Sequence, residues 1–397
     1  MADLCTLSPA TPQLSLFPEE RSGGSYSICL TPEVNAMLEA GCVVAVGVSG
    51  GKDSVACALA VDRHLKQIGH TGPKVMIHSD LGLVEWKASL PGCELLARHL
   101  GWDLIVTRRK AGGLMERWET RWANNIARYR NLECVRVIPP WSSSIWRFCT
   151  SELKSAVIAS ELRRRYPTEA ILSVTGIRHQ ESTFRSHMPT YAPDPRLLRK
   201  GAFGATWNAV ITWPIEDVYA YIQENGLALH EAYTVYGSSR VSCVFCVMAS
   251  KGDILASTRC ADNAIAFRRM VDLEALSTFS FQQQNWLADF APHLLSAEQL
   301  DRVALAKVKA GERQQAESLL PEHLLYKKGW PTCVPTFEEA SLIAEVRTKV
   351  SLILGVEVQY LTADSIRGRY EELIAVREAK LKAESKGKAR GKKSAKN

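Results

Sequence analysis

The sequence predicts an α/β protein built on a doubly wound parallel sheet, followed by a helical C-terminal region and a basic, disordered tail. Three observations lead to that class. Short, almost purely apolar runs recur between helical patterns, as expected of parallel strands buried on both faces. The first such run stops on a Gly-rich loop that opens into a helix. Finally, 46% of the 397 residues are hydrophobic, enough for one large core or two ordinary ones.

Taken in order, residues up to about Ser27 are rich in Pro and Ser and read as a flexible leader, after which Pro32–Ala40 has the pattern of a short helix. The first strand is Val43–Val48, followed by the loop and by a helix with Val55, Leu59 and Leu65 towards one face. A second strand, Lys74–His78, runs into Ser79, Asp80, Leu81 and Gly82, and a helix from about Pro91 to Leu100 is closed by Gly101. Asp103–Thr107 is the third strand and Ala170–Thr175, ending on Gly176, Ile177 and Arg178, the fourth. Ala209–Thr212 is a fifth, placed before Trp213 and Pro214, and after Glu216 the chain reads mainly helical. These elements set out a leader (1–27), a sheet domain (28–250), a helical region (251–378) and a tail (379–397). In such a sheet ligands lie beyond the carboxyl ends of the strands, where the loop at Ser49, Asp80 and Arg178 all fall.

Charge is unevenly spread. Between Ala379 and Asn397 stand eight basic residues and one acidic, a surplus equal to the whole formal net charge of +7. Such a tail either solubilises the chain or holds a polyanion through counterion release. No run approaches the roughly 18 apolar residues of a membrane span, and the N-terminus lacks an export pattern. The expectation is a cytoplasmic protein whose 11 cysteines are mostly reduced. An insert from Arg117 to Phe148 is dense in Trp and Arg, a combination that can stack bases and pair phosphates, although packing a helix onto its domain is the commoner use of any single Trp.

The loop Ser49-Gly50-Gly51-Lys52-Asp53-Ser54 has the parts of a phosphate cradle. Its glycines let backbone N–H groups approach an anion, the helix N-terminus adds partial positive charge, and Lys52 adds a full one. It is not the common nucleotide P-loop, which needs Gly in place of Val46 and Ser or Thr in place of Asp53.

These six residues resemble the SGGxDS signature of the PP-loop ATP pyrophosphatases. The resemblance implies an adenine nucleotide alpha hydrolase-like fold that binds ATP and Mg²⁺. It also implies cleavage of ATP to pyrophosphate with transfer of AMP to a substrate. Ser49, Gly50, Gly51, Lys52, Asp53 and Ser54 would hold the nucleotide, with Lys52 and Asp53 catalytic. Three further segments are similar to the phosphoadenosine-phosphosulfate (PAPS) reductase-like branch: Arg147-Phe148-Cys149-Thr150 with Leu153 and Lys154; Gly176-Ile177-Arg178 through Glu181-Ser182; and Trp213–Val218 with Tyr221, Ile222, Tyr236 and Gly237. The likeness covers roughly Val43 to Ala249. Through it Arg178 and Asp80 become nucleotide contacts, the alternatives being a surface ion pair for Arg178 and a metal contact or a helix cap for Asp80.

A CxxC follows at Cys243–Cys246, with Cys149 upstream and Cys260 downstream. Four thiolates suffice for one metal or cluster. The resemblance implies that Cys149, Cys243, Cys246 and Cys260 hold a [4Fe–4S] cluster and that Cys149 is catalytic; zinc, a redox dithiol or an unliganded pair are the other readings. The branch's reductases carry a C-terminal Glu-Cys-Gly-x-His segment, whereas here the sole cysteine after Cys260 is Cys333, without those neighbours. Members that keep the loop include sulfate adenylyltransferase and the ATP pyrophosphatases of DNA phosphorothioation. The cysteines, the Trp/Arg insert and the tail favour the second, with DNA as partner, a cysteine desulfurase as sulfur donor and other modification-system subunits alongside. A tRNA thiolase is the nearest alternative, and a nucleotide-binding regulator without turnover is another.

Overall fold

The computed structural model describes residues 26–394, with side chains described as far as residue 385 in the last helix. The expected leader therefore lies, up to residue 25, outside the described residues. Tyr26 and Ser27 are fixed rather than flexible: the Ser27 carbonyl accepts from Trp213 Nε1 at 2.8 Å, and the Tyr26 ring packs on Trp213 and Tyr221.

The chain forms two compact units, and the division is discontinuous. One comprises the chain up to Asp80, Glu85–Arg108 and Glu152–Ser242; the other comprises Leu81–Val84, Arg109–Ser151 and Cys243 onward. This differs from the boundary expected at residue 250. The Trp/Arg insert and the CxxC both belong to the second unit, because packing against distant segments, not chain order, decides membership.

The first unit holds the sheet. Its strands are β1 (Val43–Gly47), β2 (Lys74–Asp80), β3 (Asp103–Arg108), β4 (Ile171–Val174), β5 (Tyr191–Pro193) and β6 (Gly204–Trp207), in the order β3-β2-β1-β4-β6-β5. All pairings are parallel except β5 with β6. Alternation along β1 explains the double winding. Val44 and Val46 enter one core with the helices Lys52–Gln67 and Ser89–Leu100, while Val43 and Ala45 enter another with the helix Ala156–Arg165. Both faces are covered, so the strands read as continuous apolar runs.

Two strand assignments need correction. The fifth strand is not Ala209–Thr212 but Gly204–Trp207, and β5 was not anticipated. Ala209, Val210 and Ile211 are fully buried, yet they form turns in which Ile211 N–H reaches Asn208 O and Trp213 N–H reaches Val210 O. An apolar run reports burial, and a buried turn satisfies it as well as a strand. β5 has three residues and includes Pro193, too little to leave a period-2 signal.

The second unit is helical, with Leu114–Arg130, Lys251–Thr258, Ala264–Ser277, Ala297–Ser318, Phe337–Leu354 and Ala363–Ser394 as its main elements. Buried Arg347 ties it together by donating to the carbonyls of Tyr129 and Gln359 at 2.9 and 2.6 Å. The tail expected to be disordered continues the last helix to Ser394. That helix is anchored by buried Ile366, Tyr370 and Leu373, and once nucleated it propagates through Ala-, Lys-, Glu- and Arg-rich sequence of high helix propensity. No helix among the described residues is long and apolar enough to cross a membrane.

Candidate nucleotide site and cysteine segment

The loop sits at the carboxyl end of β1, between that strand and the helix Lys52–Gln67. Gly50 needs its glycine twice over: φ is +73°, and a Cβ there would lie 3.1 Å from Ser89 O and 3.2 Å from the His230 ring. Gly51 caps the helix in extended conformation with no side chain of its own over the helix N-terminus. The loop closes on itself through Ser54 Oγ, which accepts from Ser49 N at 3.3 Å and donates to Gly51 O at 2.8 Å.

Three charges meet here. Lys52 is 4% exposed, with Nζ 3.3 Å from Asp53 Oδ2 and donating to Ser239 O at 3.4 Å. The Tyr233 and Tyr219 rings lie 5.1 and 5.8 Å from that ammonium. Arg178, 3% exposed, places Nε 2.6 Å from the other Asp53 oxygen. One carboxylate thus stands between two buried cations, leaving a net positive charge at a helix N-terminus. Arg178 is held in turn by Gln180 Oε1 at 3.2 Å and Trp213 O at 3.4 Å, while Glu181 accepts from its backbone N–H at 2.6 Å. Gly176 permits this approach, since a Cβ there would meet Asp53 O at 2.4 Å.

The structure therefore brings Ser49, Gly50, Gly51, Lys52, Asp53, Ser54 and Arg178 into one network. Asp80 ends β2 at half exposure, 3.8 Å from Arg108 Nη1, and the helix Ser89–Leu100 that follows starts from Ala88. The reading of Arg178 as an incidental surface pair fails, because the side chain is buried.

Several residues of this site went unnoticed in the sequence. Tyr233 Oη accepts from the N–H groups of Lys52 at 3.3 Å and Val241 at 3.2 Å. His230, beside Gly50, accepts from Ala232 N at Nδ1, which leaves Nε2 to donate to Ser89 Oγ at 3.3 Å. Burial pushes its pKa down to about 4, so it is neutral at pH 7. His78 is the opposite case: Nδ1 lies 3.0 Å from Val48 O, next to the loop, and Nε2 lies 3.0 Å from Glu85 Oε1. Burial opposes its charge, but contacts with Cys93 and Glu85 outweigh it and push the pKa up to about 10. Neither histidine stands in the signature, so no motif pointed to them. A cleft of about 310 Å³ adjoins the cluster through Tyr219, its wall completed by Ile222, Gln223, Leu227, Ala228, Leu229 and Thr234.

The cysteine segment belongs to the other unit. Val244 and Phe245, between the two cysteines of the CxxC, are buried; Val244 N–H reaches Val84 O at 2.9 Å, and Phe245 packs against Phe267. Cys243, Cys246 and Cys149 are half-buried and Cys260 is buried. No disulfide joins the described cysteines. Among the described residues no three Cys, His, Asp or Glu side chains converge as a metal-binding group.

The insert divides in two. Trp118, Trp122 and Trp141 are core residues: Trp118 and Trp141 stack edge-to-face with Phe281, and Trp122 meets Phe279. Trp146 is 62% exposed. No protein-family model matches the chain, and no curated protein matches it.

Proposed function

We propose that this chain is an ATP pyrophosphatase that adenylates a substrate for sulfur transfer, with a DNA backbone phosphate as acceptor. The observation that carries the reading is the pair of buried cations, Lys52 and Arg178, flanking Asp53 at the start of the helix. A phosphate chain is the ligand that such a site suits: glycines without Cβ bulk, helix N–H groups and two cations in one place. The SGGxDS resemblance supports the same conclusion from the sequence side.

The acceptor oxygen attacks the α-phosphorus of ATP, the bond from that phosphorus to the bridging oxygen breaks, and pyrophosphate leaves with the bridging oxygen. Lys52 neutralises charge building on the departing group, and Arg178 holds Asp53 and the adjacent backbone in register. Mg²⁺, when bound, neutralises phosphate charge; Asp53 and Asp80 are the carboxylates at hand. A persulfide then displaces AMP, and a second thiol cleaves the remaining S–S bond, leaving sulfur on phosphorus and a disulfide behind. Cys149, Cys243, Cys246 and Cys260 are the residues that would hold an iron–sulfur cluster, and no step is routed through it.

Pyrophosphate release measured with ATP, Mg²⁺ and either DNA or tRNA is the test. Release is expected with DNA and should fall on the order of 100-fold in Lys52→Ala. Release stimulated by tRNA alone would move the acceptor to a base carbonyl; none with either, or an unaffected Lys52→Ala, would overturn the enzymatic reading.

A further inference from the structure

Both groups with which Lys52 would meet a phosphate are already engaged, and by one stretch of chain, residues 233–241. The Lys52 backbone N–H donates to Tyr233 Oη at 3.3 Å, and its ammonium donates to Ser239 O at 3.4 Å. The same stretch lies over the start of the helix. A Cβ placed on Gly51, which caps the helix Lys52–Gln67, would come 3.4 Å from Val241 Cβ and 3.5 Å from Tyr233 Oη. Residues 233–241 therefore occupy the place where a helix N-terminus and a lysine receive an anion. Under them Lys52 is 4% exposed.

One hydroxyl ties this stretch to the loop. Tyr233 Oη also accepts from Val241 N at 3.2 Å, so it joins the end of the stretch to Lys52. Ser238 N donates to Ala232 O at 2.7 Å and Ser238 Oγ to Arg240 O at 2.8 Å, while Ser239 and Arg240 are exposed. The bonds onto Lys52 are of the weaker kind. Both acceptors are neutral, since burial raises the Tyr233 pKa and keeps its phenol protonated. Both distances, 3.3 and 3.4 Å, exceed the roughly 2.9–3.0 Å usual for an N–H···O bond. A phosphate oxygen is charged, and charge-assisted hydrogen bonds are about twice as strong as neutral ones. In direct competition for Lys52 the phosphate wins.

We propose that residues 238–241, latched by Tyr233, are a cover that stands in for phosphate on Lys52, and that a polyphosphate binds by displacing it. The proposal rests on the loop being a phosphate site and not on which group receives AMP. It makes opening selective. Lys52 stays paired and buried until a ligand with enough negative charge takes both of its donors, so adenosine, which has the base and no phosphate, leaves the cover shut.

The test is hydrogen exchange of the full chain, read by mass spectrometry on peptides spanning residues 236–242, with pyrophosphate, ATP and adenosine as probes and their binding followed by titration calorimetry. Saturating pyrophosphate or ATP should raise exchange over residues 238–241 at least about 3-fold, and adenosine should leave it unchanged. Tyr233→Phe removes the acceptor of both N–H groups. It should raise exchange without any ligand and bind pyrophosphate about 3- to 10-fold more tightly, since a neutral competitor is gone. A merely structural role for Tyr233 predicts the opposite sign, weaker binding. Val241→Ala, which trims the side chain over Gly51, should tighten binding by less. The inference falls if bound pyrophosphate leaves exchange unchanged or lowers it, if adenosine opens the cover as pyrophosphate does, or if the parent binds neither pyrophosphate nor ATP. It also falls if Tyr233→Phe or, should that variant not fold, Val241→Ala binds no more tightly than the parent. A cover opened by ATP with no pyrophosphate release keeps the cover and removes the proposed activity; release with a cover that stays shut does the reverse.

Discussion

The loop Ser49–Ser54 and the cysteine set of the helical unit both present chemically suggestive residues, yet they differ in how far the fold has assembled them. In the loop, contiguous residues fix one another. Ser54 closes the turn, Asp53 bridges Lys52 and Arg178, and Gly50 and Gly176 vacate the space that lets neighbours approach. In the other region, four thiols come from three separate stretches of chain, Cys149, Cys243 with Cys246, and Cys260, and no three ligand-type groups converge among the described residues. The difference teaches that a short motif carries its geometry in its own backbone, whereas a dispersed set depends on tertiary placement that spacing does not encode.

Breaking the loop's network should have the largest effect. Arg178→Ala leaves Asp53 with Lys52 alone, and kcat/KM for ATP should fall about 10- to 100-fold, with Arg178→Lys recovering only part because an ammonium cannot reproduce the guanidinium fork. Steady-state pyrophosphate release measures it, and an unchanged value would place Arg178 outside the site. Next in size, Gly176→Ala forces a methyl against the Asp53 carbonyl and should cost about 1–3 kcal/mol in urea unfolding together with ATP binding.

A further effect concerns pH. His78 is held near pKa 10 in the fold against about 6.5 in an unfolded chain, so its stabilising contribution is complete below pH 6.5 and disappears as pH rises through 10. Thermal midpoints should therefore decline over that window, and His78→Gln should flatten the decline; parallel slopes in the two proteins would contradict the imidazolium beside Val48. The smallest effect on ATP turnover sharpens the other side of the comparison. Cys243→Ser should leave ATP-dependent pyrophosphate release within about 3-fold of the parent while abolishing sulfur incorporation, since the reading gives thiols a role after adenylation.

Legibility followed the same division. β1, β2 and β4 were readable because parallel strands buried on both faces leave continuous apolar runs, as Val43–Gly47 does, and β3, at the sheet edge, through its short Leu104–Val106 run. The shift of the last strand to Gly204–Trp207 was not, because buried turn residues at Ala209–Ile211 give the same signal. In the candidate site, Lys52, Asp53 and Arg178 were found through motifs, while Tyr233, His230 and His78 were missed because their roles arise from hydrogen bonds to groups far away in the chain.

The sequence by itself determined the sheet class and the place of the loop, since apolar period and contiguous motif are local properties. Tertiary structure alone decided the rest. It set Arg178 against Asp53, 125 residues away, and sent Trp118, Trp122 and Trp141 into a core while leaving Trp146 exposed. Burial and charge pairing are properties of what surrounds a residue, and for these positions the surroundings come from segments that chain order does not reveal.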